Sequence, residues 1–176
     1  MKTLTLLRHA KSGWDDMAAR DFDRRLNPKG KRAAAAMGRH MRDEGLVFDH
    51  VVASPAMRVV ETLEGIAEGY GAALAPEWDR RIYLASAAML LDVVHDLAEA
   101  HARVLMVGHN PGLEDLVLML AGDGGPLRCA VEEKYPTATL AELGVGDRWG
   151  DTRAGAAQLT RFVRPRDLDP ELGPED

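Results

Sequence analysis

The chain has 176 residues, 46% of them hydrophobic, which is enough for one well-buried core and short for two. Its 22 basic and 28 acidic residues give a formal charge of −6, which argues against a general nucleic-acid or anionic-membrane binder. Cys129 is the single cysteine, so no intramolecular disulfide or thiolate metal cluster can form, and nothing indicates an oxidising compartment. We therefore expect a cytoplasmic protein with one domain.

The two ends of the chain differ in composition. The N-terminus leads directly into a strand-length apolar run, and no apolar stretch of about 18 residues follows, so neither export nor membrane spanning is expected. From Pro165 onward the chain carries three prolines and mostly acidic charges. We expect a domain over 1–165, followed by a frayed, acidic, Pro-containing tail over 166–176.

Strand and helix patterns alternate between these ends. After the first strand, a loop rich in Asp and Arg covers 11–27 and is long enough to cover a site. The alternation predicts an α/β fold, a single domain in which helices pack on both faces of a mostly parallel central sheet. The patterns predict strands at 4–7, 50–53, 104–107, 138–145 and 157–163, and helices at 31–44, 54–70, 86–100 and 111–120.

Two histidines follow predicted strands. Arg8 and His9 come after the first strand, and His109 comes after the strand over 104–107, separated from it by Gly108. In an open α/β sheet, ligands bind in the crevice at the carboxyl ends of the strands. We therefore expect these two imidazoles to meet there, although they are distant in sequence.

Two predicted helices begin with the same local pattern. Ser54-Pro55 and Asn110-Pro111 each place a good N-cap residue before a proline at the first helical position. Such helix starts present free N–H groups and a partial positive charge, which favour an anion such as phosphate. Arg58 lies about one turn into the first helix, and a guanidinium can bind two phosphate oxygens.

The side chains of Arg8, His9, Arg58 and His109 together suit a bound phosphoryl group. A neutral imidazole nitrogen can attack phosphorus if the other ring nitrogen holds a proton that is bonded to an acceptor. The remaining groups stabilise the charge on the equatorial oxygens, and water later hydrolyses the phospho-enzyme.

Three motifs in this sequence resemble the histidine phosphatase superfamily, and among its members the SixA-type phosphohistidine phosphatase branch. They are Leu7-Arg8-His9-Ala10-Lys11-Ser12, Ser54-Pro55-Ala56-Met57-Arg58 and Gly108-His109-Asn110-Pro111-Gly112, and the resemblance extends to about Asp167. It implies a phosphoglycerate-mutase-like fold, His9 as the phosphorylated nucleophile, and no metal or organic cofactor. It also implies that Arg8, Arg58 and His109 are catalytic residues that bind the phosphate of the substrate.

Two positions depart from the superfamily pattern. Ala10 stands where many members have glycine, and Arg80 stands where many members carry a glutamate near Tyr83. That glutamate resembles the proton donor to a departing alkoxide, and Arg80 cannot replace it. A phosphoramidate such as phosphohistidine has a better leaving group once its ring is protonated, so the loss of a strong acid costs less there. The weaker candidates for an acid are Asp79, Asp15 and Asp16.

Three functions are compatible with this pattern. The leading one is dephosphorylation of phosphohistidine on a protein partner, such as a histidine phosphotransfer domain. The short insertions over 57–78 favour it, because they leave little chain for a lid over a small substrate. The alternatives are a phosphatase for small phosphate esters or other phosphorylated metabolites, and a non-catalytic phosphate-binding module. Retention of His9 argues against the module.

Overall fold

The computed structural model describes residues 1–13 and 19–174, and a six-stranded sheet lies at its centre. Its strands are β1 (Lys2–Arg8), β2 (His50–Ala53), β3 (Glu77–Trp78), β4 (Arg103–Gly108), β5 (Leu140–Gly146) and β6 (Gln158–Val163). They are ordered β3-β2-β4-β1-β5-β6 across the sheet, and β5 is antiparallel to both of its neighbours while the remaining pairs are parallel. The predicted mostly parallel sheet is confirmed.

Helices cover both faces of this sheet, as predicted. Their bounds are α1 (Pro28–Asp43), α2 (Met57–Tyr70), α3 (Ala87–His95), α4 (Gly112–Leu120), α5 (Pro126–Glu133) and α6 (Pro165–Leu168). One face packs against α1 and α2 through Met37 and Ile66, and the other packs against α3 and α4 through Leu90 and Leu116. None of these helices, within the described residues, is long and apolar enough to cross a membrane.

The two central strands are buried on both faces because their side chains alternate between the two cores. In β1, Leu4 and Leu6 join the core beneath α3 and α4, whereas Leu7 joins the core beneath α1 and α2. All three leucines are fully buried, and each contributes roughly 1.5–3 kcal/mol to folding. These strands form a rigid support for the residues that follow them.

The helix predicted from residue 54 begins three residues later, and the helix predicted from residue 111 begins one residue later. Helix α2 begins at Met57 with Ala56 as its N-cap, and the Ser54 hydroxyl accepts hydrogen bonds from Nε2 of His109 at 2.7 Å and from the N–H of Ala56 at 3.3 Å. Helix α4 begins at Gly112, although the Asn110 side chain still accepts a hydrogen bond from the backbone of Glu114 at 3.2 Å.

Strand β3 and helices α5 and α6 were not predicted from the sequence, and helix α3 is shorter than expected. The strand β3 has only two residues, and α5 buries only Val131, so neither produces a clear apolar period. Helix α3 ends at His95, before the predicted end at residue 100.

The segment after β6 contains more structure than its composition predicts. Helix α6 follows directly, and a 3-10 turn covers Pro170–Leu172. Leu172 packs against a small apolar cluster that includes Ala10 and Ala33. Residues 165–172 therefore lie against the body of the protein, while the division at residue 165 stays a prediction.

Helix α1 makes close backbone contacts through its glycines. A Cβ atom on Gly38 would lie 2.2 Å from the carbonyl oxygen of Ile66 in α2, and one on Gly30 would lie 2.1 Å from the carbonyl oxygen of Lys11. Both carbonyls belong to the backbone and cannot swing aside as a flexible side chain could. Glycine is therefore required for α1 to lie this close to its neighbours. Helix α1 is thereby fixed against both α2 and the segment that follows β1.

We expect Gly38→Ala to destabilise the protein by about 1–3 kcal/mol, because the added methyl forces α1 and α2 apart. The clash must outweigh a gain of about 1 kcal/mol in helix propensity. Urea unfolding measures the difference. Gly122→Ala is the control, since its nearest neighbour would be 3.8 Å away. Equal stabilities of the two variants would contradict the proposed close contact.

Candidate active site

The site lies where β1 and β4 end. These strands are adjacent and parallel, and their register pairs Arg8 with Gly108. The next residues, His9 and His109, therefore leave the sheet side by side, with ring centroids 5.3 Å apart. The two histidines are only 8% and 3% exposed, so both imidazoles lie in a largely desolvated place.

His9 is held by its backbone and by one ring nitrogen. Its N–H donates to Gly108 at 3.0 Å, its carbonyl accepts from Ala138 at 3.0 Å, and Nδ1 lies 2.7 Å from the carbonyl oxygen of Ala10. A carbonyl can only accept, so Nδ1 carries the proton and Nε2 keeps its lone pair. Burial lowers the pKa of His9 to about 3 despite that bond, helped by the charge of Arg58. The ring is therefore neutral at neutral pH.

His109 has the opposite tautomer. Its Nδ1 lies 3.3 Å from Nη2 of Arg58, which can only donate, so the proton of His109 is on Nε2. That nitrogen donates to the hydroxyl of Ser54 at 2.7 Å. Burial and the charge of Arg58 lower the pKa of His109 to about 4. The rings of Tyr83 and His109 pack edge to face, with centroids 5.4 Å apart.

Arg58 extends from the first turn of α2 and is only 2% exposed. Its Nη1 donates to the backbone oxygen of Asp21 at 2.7 Å, and its Nη2 donates to a carboxylate oxygen of the same residue at 3.1 Å. Its Nε is buried and has no hydrogen-bond partner among the described residues. The structure thus brings Arg58 together with His109, and places an acidic residue beside them that the sequence did not predict.

Asp21 is held in its charged form. Burial opposes ionisation, but hydrogen bonds from Tyr83 and Arg24 and the charge of Arg58 lower the pKa of Asp21 to about 2. Arg24 also donates to the hydroxyl of Ser12 at 2.6 Å, and its charge helps to lower the pKa of His109. Arg24 is thus a further cation near the site that the sequence did not single out.

Arg8 differs from the other three predicted site residues in its contacts. Its Nη1 donates to the backbone oxygen of Tyr135 at 2.9 Å, and its Nε is buried without a partner in the described part of the chain. The charge of Arg8 still helps to lower the pKa of both His9 and His109. Arg8 therefore acts on the site through its positive charge, and the residue also lines a neighbouring cavity.

Thr62 connects the two halves of the site. Its hydroxyl accepts from the N–H of Ala10 at 2.9 Å and donates to the carbonyl oxygen of Arg58 at 2.6 Å. The residue after His9 is thereby tied to the helix that carries Arg58. Thr62 is fully buried one turn after Arg58. The hydrophobic pattern of the sequence does not distinguish it from an ordinary core residue.

The predicted weaker acids offer little to a leaving group. Asp79 is bonded to Arg81, with 2.9 Å between Oδ2 and Nη2, and the hydrogen bonds from Arg81 lower the pKa of Asp79. Arg80 packs over the ring of Phe22, 5.4 Å from its centroid. Asp15 and Asp16 lie outside the described residues.

Comparison with known proteins identifies the class. Residues 4–82 match the model of the histidine phosphatase superfamily, branch 1. The uncharacterized protein Rv1276c of Mycobacterium tuberculosis is 32% identical over 163 residues, which cover 91% of this chain and 100% of that protein. The chain belongs to the histidine phosphatase superfamily.

Solved structures agree with the SixA-type resemblance. A protein of Nakamurella multipartitia assigned as phosphohistidine phosphatase SixA has a TM-score of 0.81 and 28% identity, covering 93% of this chain and 96% of that one. One of Agrobacterium tumefaciens with the same assignment has a TM-score of 0.76 and 27% identity, covering 93% and 98%. A phosphoglycerate mutase of Bacillus anthracis shares the fold at a TM-score of 0.65 and 14% identity. The predicted phosphoglycerate-mutase-like fold is confirmed.

We expect the rings of His9 and His109 to stay neutral from pH 8 down to about pH 5, since their pKa values are lowered to about 3 and about 4. An NMR titration of the ring protons of the folded protein measures this directly. Both rings should titrate near pH 6.5 in urea, which serves as the control. Because the unfolded state takes up these protons first, stability should fall as the pH drops from about 6.5 to 4. Titration of either ring near 6.5 in the folded protein would contradict the neutral pair.

We expect Asp21→Asn to bind inorganic phosphate roughly fivefold more tightly, because one negative charge beside Arg58 is removed. The backbone contact between Asp21 and Arg58 remains in this variant. Calorimetry of phosphate binding measures the change without requiring turnover. Asp23→Asn is the matched control, since Asp23 is exposed in the same 3-10 turn. An unchanged affinity for phosphate in Asp21→Asn, or an equal gain in affinity in both variants, would contradict this role of the Asp21 charge.

Proposed function

We propose that this protein is a phosphatase that hydrolyses phosphohistidine on a protein partner, through a phosphorylated His9 intermediate. The observation that carries the proposal is the state of His9: a neutral ring whose Nδ1 proton is held by the carbonyl of Ala10 and whose Nε2 is unprotonated. A buried imidazole in this state is an activated nucleophile beside a cation that binds phosphate.

In the first step, the lone pair of His9 Nε2 attacks phosphorus, and the bond from phosphorus to the substrate nitrogen breaks. The electron pair of that bond stays on the substrate imidazole. Arg58 and Arg8 stabilise the charge on the phosphoryl oxygens.

A phosphohistidine leaving group is compatible with a site that lacks a strong general acid among its described residues. A substrate phosphohistidine that is protonated on its ring leaves as a neutral imidazole, so no side chain has to supply a proton at that moment. An alkoxide would need one, and Asp79 is held ionised by Arg81. The arrangement of described residues therefore favours a phosphoramidate over an alkyl ester.

In the second step, water attacks the phosphorus of phospho-His9 and the bond to Nε2 breaks. Neutral His109 is placed to accept a proton from this water through Nδ1, since its Nε2 proton is already directed to Ser54. His9 returns to its neutral form with the proton still on Nδ1. The proton taken up by His109 passes to the departing phosphate, so both rings are neutral again when phosphate leaves.

Two observations support a protein substrate. Relatives with 28% and 27% identity are assigned as phosphohistidine phosphatases. In addition, the connection from α2 to α3 contains only the two-residue strand β3 and a short 3-10 turn, which gives little chain to enclose a small metabolite. A histidine phosphotransfer domain is the kind of partner we propose, and a cytoplasmic location stays a prediction.

The test is phosphate release from a phosphohistidine peptide, an aryl phosphate and an alkyl phosphate. We expect the peptide to be the best substrate and His9→Ala to lower its turnover by at least about 10³-fold. His40→Ala is the matched control, because His40 lies near the far end of α1 from the site.

The other outcomes separate the alternatives. Faster turnover of the alkyl ester would reject the phosphohistidine assignment and indicate a small-molecule phosphatase. Tight phosphate binding without release from any substrate would indicate a non-catalytic binding module. Equal activity of His9→Ala and the wild type would reject His9 as the nucleophile.

A further inference from the structure

A cavity of about 290 Å³ lies next to the active site and shares Arg8 with it. Six cationic side chains line it, and no Asp or Glu is among its described lining residues. The rest of the lining is small or apolar and includes Ala33 and Leu172. The six cations are Arg8, Lys11, Lys29, Lys134, Arg164 and Arg166.

This concentration of positive charge is unusual for the chain, which has more acidic than basic residues overall. Three of the cations already have partners: Arg164 pairs with Asp167 at 3.0 Å, Lys29 donates to the carbonyl oxygen of Gly173, and Arg8 donates to that of Tyr135 at 2.9 Å. Lys11, Lys134 and Arg166 make no ion pair with any residue in 1–13 or 19–174. Like charges gathered around one cavity favour an anion there.

The sheet places this cavity beside the nucleophile. The register aligns Leu7 with Leu140, and Leu140 with Val163, across β1, β5 and β6. Because β1 and β6 run in the same direction, Arg8 and Arg164 lie at the same end of the sheet. They are about 10 Å apart, which is two strand spacings. Arg8 lines the cavity and directly precedes His9.

We propose that this cavity, the basic subsite, binds acidic side chains that flank the phosphohistidine of the protein substrate. The inference rests on the proposed function and adds the substrate class. The cations come from the segment after β1, the start of α1, the end of α5 and the segment around α6, so they surround the cavity rather than converge on one point. A single phosphate group cannot contact them together, whereas several carboxylates on a peptide can, with apolar parts of that peptide against Ala33 and Leu172.

The test compares two phosphohistidine peptides that are identical except that the flanking residues are Glu and Asp in one, and Gln and Asn in the other. Contacts between exposed charges are individually weak and are screened by salt. We expect about a tenfold higher kcat/KM for the acidic peptide than for the neutral peptide at low salt. The ratio of the two kcat/KM values should be smaller in 0.5 M salt, where the screening length is roughly 4 Å.

A triple variant, Lys11→Ala with Lys134→Ala and Arg166→Ala, should abolish this preference while turnover of an aryl phosphate stays unchanged. The matched control is Lys31→Ala with Arg32→Ala and Arg39→Ala, which removes the same charge from exposed positions on α1. The control should keep the tenfold ratio. Equal kcat/KM for the two peptides in the wild type, or an equal loss in both triple variants, would overturn the basic subsite.

Binding of an unphosphorylated, fluorescent acidic peptide, measured by anisotropy, separates this proposal from the proposed function. If the peptide binds and the first triple variant loses binding, the basic subsite stands even when no phosphohistidine peptide is hydrolysed. Hydrolysis without peptide binding and without flank preference would overturn the subsite and leave the function intact. Binding of inorganic triphosphate at this cavity, with none of the acidic peptide, would also overturn it.

Discussion

The parallel pairing of β1 with β4 is the constraint on which the rest of the site depends. It sets the register from Thr3 opposite Arg103 to Arg8 opposite Gly108, and so decides that two histidines a hundred residues apart become neighbours. Both strands are buried on both faces. A slip by one residue would exchange the cores into which Leu6 and Leu7 point, so the packing of the whole domain opposes it.

The site keeps its two imidazoles neutral chiefly by burying them, and the fixed charges of Arg58 and Arg8 lower their pKa values further. Two charged imidazoles with centroids 5.3 Å apart would repel each other and Arg58, and burial makes that charge more costly. Asp21 balances Arg58 from the loop before α1, and Tyr83 and Arg24 hold Asp21 ionised. The positive charge of Arg58 is therefore partly balanced by Asp21 before a phosphoryl group enters the site.

Strand ends and helix periodicity were enough to predict five strands of the sheet, four of the helices and the meeting of His9 with His109. These features depend on apolar spacing, which the sequence shows directly. Asp21, Arg24 and Thr62 could not be found in this way. The first two lie in a loop without periodicity that contains several other Asp and Arg residues, and Thr62 has the pattern of a core position. Their roles arise from tertiary contacts that bring a loop over α2. Ser54 misled the helix prediction for the same reason, since its hydroxyl is used by His109.

Helix α1 acts as a spacer for the active site without contributing a side chain to it. Its glycines set the distance to Lys11 on one side and to α2, which carries Arg58, on the other. A side chain larger than hydrogen at those positions would push α1 away from its neighbours and so move the arginine relative to the nucleophile. Substitutions at these glycines, selected in evolution or in the laboratory, can therefore alter turnover by changing the distance between α1 and α2. They do so without replacing any polar group of the site.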